Sequence, residues 1–181
     1  MQTIIEWVQG DPLRMQALYA TRSLKLPQCY IAAGFVRNLV WDRLHNKETA
    51  TPLNDVDVIY FKDDETDVSA HLRYELHLNT ILPSLNWQVR NQAHMHLRND
   101  DEPYMDILDA MSFWPEIETA VAIRLVNDNS LECISPFGFE SLFALKITPN
   151  PKRDAAIFQQ RIQSKNWLSH WPKLAVKKSF E

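Results

Sequence analysis

The sequence predicts an α/β domain of the α+β kind, a mixed sheet flanked by helices. Three observations lead there. Short runs of β-branched and aromatic residues recur between turn signals, as strands do. The first two are separated by an amphipathic helical stretch, which gives a β-α-β order. Two later runs are separated only by a tight polar turn, which makes a hairpin. A sheet holding both kinds of link is mixed, and 181 residues at 45% hydrophobic suffice for a real core.

The elements follow in order. Thr3 to Val8 places Ile4, Ile5, Trp7 and Val8 in a helix. Asp11-Pro12 reads as an N-cap followed by Pro at the first helical position, opening a helix to about Leu24. Cys29 to Ala33 is a short buried strand that Gly34 ends. Phe35 to His45 carries Val36, Leu39, Val40 and Leu44 on one helical stripe. Asn46 to Asn54 is a polar loop with Pro52, and Val56 to Phe61 is a strand. Asp63 to Leu82 starts acidic and then sets Leu72, Leu76 and Ile81 at helical spacing. Strands are expected at Trp87 to Gln92, Thr119 to Leu125 and Leu131 to Ile134, and helices at Phe139 to Lys146 and Lys152 to Trp167. No internal repeat interrupts this order.

The net charge of −4 is unevenly spread: from Lys146 onward eight Lys/Arg face two acids. Such a stretch can touch a phosphate or serve as a solvated helix face. Overall acidity argues against an extensive nucleic-acid surface. The N-terminus lacks the basic start and apolar core of a signal peptide, and no apolar run nears the ~20 residues of a membrane span. Cys29 and Cys133 lie in apolar contexts and are read as reduced and buried. The expectation is a cytoplasmic protein without a membrane partner.

Asp55 and Asp57 pose the chemical question. On a strand, positions i and i+2 share a face, so the two carboxylates stand together while Val56, Val58 and Tyr60 face the core. Close carboxylates repel, and a hard divalent cation relieves that. Upstream, Gly34 lies between a strand and a helix whose first N–H groups can hold anionic oxygen. Arg37, one turn in, offers a planar fork to phosphate. A metal platform beside a phosphate cradle suggests a metal-bound nucleoside triphosphate.

At these residues the chain resembles a family. Ala33-Gly34-Phe35-Val36-Arg37-Asn38, followed by Asn54-Asp55-Val56-Asp57-Val58-Ile59-Tyr60-Phe61, is similar to the polymerase-β-type nucleotidyltransferase superfamily. The likeness is closer still to a small bacterial family of stand-alone nucleotidyltransferase-like proteins, through landmarks at 82–96, 103–104, 109–116, 119–125, 136–143 and 161–167. The resemblance implies a polymerase-β-like fold with additional C-terminal helices. It implies one unit over 1–181, with a core about 27–145 and a helical extension about 150–181. It implies Asp55 and Asp57 as ligands of Mg2+ or Mn2+. Gly34, Phe35, Arg37 and Asn38 would be nucleotide contacts. The implied reaction is transfer of a nucleoside monophosphate from an NTP to a hydroxyl on a small molecule, a protein or an RNA end.

The chain departs from the superfamily pattern twice. The turn has one Gly where Gly-Gly or Gly-Ser is usual. The third carboxylate expected on the 87–92 strand is missing, and Asn91 is read as the occupant of that face. Asp106, Asp109, Glu116 and Glu132 are the acids that can supply it from elsewhere, with Asp109 and Glu116 matching the landmarks best. The competing reading is therefore a non-catalytic nucleotide-binding or partner-binding module that has lost this acid. A D-x-D glycosyltransferase is a third reading, disfavoured by the turn at Gly34. A long RNA acceptor is not expected from a chain this short. His94 and His96 lack the companions of a transition-metal site and are read as structural or substrate contacts. The Trp residues are read as core, with Trp114 set apart beside Glu116. Arg161 and Lys165 share a helix face read mainly as solvated.

Overall fold

The computed structural model describes residues 1–177. Helix α1 (Gln2–Gln9) leads to α2 (Pro12–Arg22), where the Asp11 carboxylate accepts from the Arg14 N–H. Strand β1 (Tyr30–Ala32) turns into α3 (Gly34–Leu44); β2 (Val56–Tyr60), α4 (Ala70–Ile81) and β3 (Trp87–Asn91) follow. Short helices α5 (Met95–Asn99) and α6 (Ile107–Met111) precede the hairpin β4 (Ala122–Leu125) and β5 (Leu131–Ile134). The chain then forms α7 (Glu140–Phe143), β6 (Lys146–Ile147), α8 (Ala155–Lys165), α9 (Trp167–His170) and β7 (Ala175–Val176).

The main sheet has the order β3-β2-β1-β4-β5. Only β2 and β3 run parallel, joined through α4; β1 is antiparallel to both β2 and β4, and β4 to β5. The sheet is thus mixed and helix-flanked, as the sequence predicts. One face carries Ile31, Val56, Val58, Tyr60, Val89 and Ile123 into the main core beneath α1 to α4. The other carries Tyr30, Ala32, Ile59 and Ala122 into a smaller cluster with Tyr104, Ile107 and Met111.

Several expectations need correction. Leu72, Leu76 and Ile81 form no buried stripe; they are exposed, and α4 packs through Ala70 and Leu78. Helical spacing marks a face but not which way it turns. Thr119 lies in a 3-10 turn ahead of β4. The helix expected at 139–146 stops at Phe143, and Lys146–Ile147 pairs in parallel with β7. The tail's Lys178 and Glu181 lie outside the described residues.

The C-terminal segment is tied to α3. Trp41 packs edge-on against Trp167 and Trp171, with ring centroids 6.0 and 5.1 Å apart. Trp171 Nε1 donates to Asp42 Oδ1 at 2.7 Å, and that buried carboxylate also accepts from Thr51 N and Oγ1. These contacts bring α8 over the β1–α3 turn. Among the described residues no helix is long and apolar enough to cross a membrane.

Candidate active site

Sheet register builds the site. Antiparallel pairing sets Ala32 opposite Asp57, so the end of β1 lies beside the start of β2. The chain leaves β1 there through Ala33, at φ 54 and ψ −120, and enters α3 at Gly34. The left-handed backbone thus falls on Ala33, a residue with a Cβ, and not on the glycine. Helix α3 has no side-chain cap at its N-terminus, so its first N–H groups remain free for an anion. Arg14 Nε fixes the turn by donating to the Phe35 carbonyl at 2.9 Å.

Two cavities meet at this point. One, of about 650 Å3, extends across the small sheet face; the other, of about 340 Å3, extends along the start of α3 and the 51–55 loop. Both are lined by Ala33, Asp55, Asp57, Thr119, Arg161 and Lys165. Asp55 Oδ1 accepts from Asn86 Nδ2 at 2.6 Å. Burial, and then the neighbouring Asp55 charge, push the Asp57 carboxyl above its ordinary range, against the pull of Arg37, Lys165 and Arg90. A cation between the two carboxylates would relieve that repulsion.

Arg37 differs from the exposed phosphate fork that the sequence suggests. It is 6% exposed and donates to Thr119 Oγ1 at 2.6 Å and to Asn38 Oδ1 at 2.9 Å. Its guanidinium lies over the Trp41 and Trp167 rings, 4.9 and 4.6 Å from their centroids. Burial lowers it to about 10, which leaves it charged at neutral pH. It still lines the smaller cavity, together with Gly34 and Asn38.

Three sequence-expected residues sit elsewhere. Phe35 is fully buried core and lines neither cavity. Asn91 is not beside Asp57: the parallel register pairs Asp57 with Gln88 and Tyr60 with Asn91. Side chains alternate along a strand, so Gln88 and Arg90 share the face of Asp57 and Asn91 points away. The Asn91 amide instead ties Lys62 to the end of β3, and Arg90 is held by Glu75. Glu116 is wholly buried behind the cleft, ion-paired to Arg161 Nε, with Nη2 at 3.2 Å from its second oxygen.

The remaining acid candidates do not reach the pair. Asp106 caps α6, Asp109 accepts from the Met105 N–H, and Glu132 on β5 pairs with Arg124 on β4. Among the described residues no group of three or more His, Cys, Asp or Glu can hold a metal ion. Two carboxylates fit an ion of the Mg2+ type, which commonly takes one or two protein carboxylates and completes its shell with substrate phosphates and water.

Sequence reasoning underrated Arg161 and Lys165. Helix α8 delivers both to the cleft across more than 100 residues of chain, and the excess of positive charge beyond Lys146 was the available signal. A separate cavity of about 910 Å3, lined by Arg22, Lys25, Cys29 and Arg124, shares no residue with the cleft. Cys29 is half-buried there, and burial pushes its thiol up to about 12, which disfavours the thiolate.

Comparisons with known proteins give the family and the fold. Residues 19–176 match a family model described as nucleotidyltransferase. A protein whose NMR structure reveals a CCA-adding enzyme head domain superposes with a TM-score of 0.87 at 32% identity, over 99% of this chain and 96% of that one. A CCA-adding enzyme in complex with CTP superposes at 0.61 and 13% identity, over 98% of this chain and 43% of that one. The Thermotoga maritima CCA-adding enzyme complexed with tRNA gives 0.60 and 15%, over 93% and 40%. The chain thus spans less than half the length of these last two, which share the fold. No curated protein matches the sequence.

Proposed function

This chain belongs to the nucleotidyltransferase family, and from that premise we propose that it transfers a nucleoside monophosphate from an NTP to a hydroxyl acceptor. The observation that carries this is the Asp55–Asp57 pair set beside the uncapped start of α3, with Arg161 and Lys165 over it. The acceptor hydroxyl oxygen attacks the α-phosphorus, the α–β bridging P–O bond breaks, pyrophosphate departs, and the hydroxyl proton passes to water.

The chain's own groups have separable tasks. The Gly34 N–H group, Asn38 and Lys165 bind the phosphate oxygens. Arg37 and Arg161, both buried or anchored, supply fixed positive charge without reorganising. Asp55 and Asp57 are the residues that would hold a divalent ion such as Mg2+. Once bound, that ion supplies Lewis-acid neutralisation of phosphate charge.

One observation favours a second reading. The strand face beside Asp57 carries Gln88 and Arg90 in place of an acid. A non-catalytic nucleotide-binding module would keep the cradle and lack turnover.

Thermal unfolding with each NTP, with and without Mg2+, tests both. A ligand at 100 times its dissociation constant adds about 2.7 kcal/mol. At this size that raises Tm by about 5–11 °C. Wild type is expected to respond to at least one NTP only with Mg2+, and Asp57→Asn to lose the response. No shift with any NTP would end both readings. A shift without release of pyrophosphate in the presence of acceptors would leave the second.

A further inference from the structure

The larger cavity has a composition unlike that of the smaller one. Away from the shared carboxylates its walls are Tyr104, Phe113 and Trp114, the buried Gln92, and the cations Arg98 and Arg153. Tyr104 and Phe113 pack with centroids 5.1 Å apart, 34° between their planes. Arg153 holds this wall in place: its guanidinium meets both oxygens of Asp101, at 2.9 and 2.5 Å, and its Nε donates to the Phe113 carbonyl. Arg153 is thus already neutralised. Arg161 and Arg90 are likewise paired, to Glu116 and Glu75. Arg98 lines only this cavity and makes no ion pair among the described residues.

We propose that this cavity is the acceptor subsite, and that its acceptor is a small hydroxyl compound bearing a flat ring and one anionic group, a phosphate or carboxylate. The proposal rests on the nucleotidyl-transfer reading. Flat rings stack on aromatic walls, the Gln92 amide supplies directional hydrogen bonds, and Arg98 takes the anion in a bidentate grip. The cavity's size lies in the range of small-molecule sites. A polyanionic chain fits poorly. One unpaired arginine answers one anion, and the segment just beyond Arg98 exposes Asp100 and Glu102, which repel a run of phosphates.

The test uses phenyl phosphate as the probe, titrated by calorimetry into protein saturated with Mg2+ and a non-hydrolysable NTP analogue. Phenyl phosphate is expected to bind alongside the analogue, and benzyl alcohol at least about tenfold more weakly. Arg98→Ala, a change at an exposed position, is expected to weaken phenyl phosphate by about tenfold or more. It should leave the affinity for the NTP analogue within about twofold. Displacement of phenyl phosphate by the analogue, or indifference to Arg98→Ala, overturns the proposal. So does an oligoribonucleotide with a free 3′ hydroxyl that binds more tightly than phenyl phosphate and depends on Arg98, since the cavity would then hold an RNA end. A parallel titration with the analogue alone separates the two levels. Failure of the analogue to bind overturns the transfer reading and the acceptor assignment together; failure of phenyl phosphate alone overturns only the acceptor class.

Discussion

Replacing Glu116 by Gln decides between two roles for this residue, catalytic acid and buried counter-ion. The Glu116 side chain is 1% exposed and that of its partner Arg161 is 31% exposed. Glu116 is also the strongest charge favouring protonation of the buried Arg37. One carboxylate therefore compensates two guanidinium groups that face the cleft. Removing one partner of a fully buried pair costs about 3–5 kcal/mol. Discounting for the partly solvated Arg161 leaves about 2–3 kcal/mol. For a chain of this size that lowers Tm by about 4–12 °C. Chemical denaturation of Glu116→Gln, Arg161→Met and the double variant measures the coupling, expected at about 1–2 kcal/mol. Nucleotide affinity, read by calorimetry, should fall along with stability because Arg161 loses its ion-pair partner and Arg37 a compensating charge. The reasoning is refuted if Glu116→Gln unfolds within about 0.5 kcal/mol of wild type and keeps its NTP affinity while losing turnover. Glu116 would then be the chemical acid that the sequence suggested.

Two further outcomes follow from the same geometry. At Ala33, φ 54 with ψ −120 strains a residue that has a Cβ, so Ala33→Gly should be neutral or stabilising by up to about 1 kcal/mol, in spite of its lost methyl and gained chain entropy; a loss above about 1 kcal/mol on urea unfolding contradicts this. Burial alone would raise the Asp101 carboxyl, but hydrogen bonds from Arg153 and Tyr104 outweigh it and hold the group below its usual value. Its stabilisation is present above the unfolded pKa near ~3.9 and is lost as pH falls through the lower folded value. The stability difference between wild type and Asp101→Asn should therefore shrink on acidification below about pH 4, and a constant difference across that range would rule the linkage out.

Much of the candidate site was legible in the chain. Asp55 and Asp57 stand two apart within a β-branched run, and strand geometry alone requires them to share a face. The Asp11-Pro12 start of α2 and the strand-to-helix change at Ala33 and Gly34 are local events, written in local residues. What escaped is what depends on register, on rotation or on distance. Asn91 was assigned the face of Asp57, but pairing with Gln88 moved every side chain of β3 by one position, and a shift of one exchanges the two faces. Leu72 and Leu76 keep helical spacing yet face outward, because packing of Ala70 and Leu78 sets the rotation of α4.

By itself, then, the sequence determined the carboxylate pair, the turn that precedes it and the order of the five main-sheet strands with α1 to α4, since each follows from the steric preferences of a few consecutive residues. Only the tertiary structure decided which groups surround the pair. Arg161 and Lys165 reach it because Trp167 and Trp171 dock on Trp41. Glu116 lies buried against Arg161 and lines neither cavity at the pair. Apolar burial and charge pairing act between residues far apart in the chain, and no local pattern encodes which distant partner will be met.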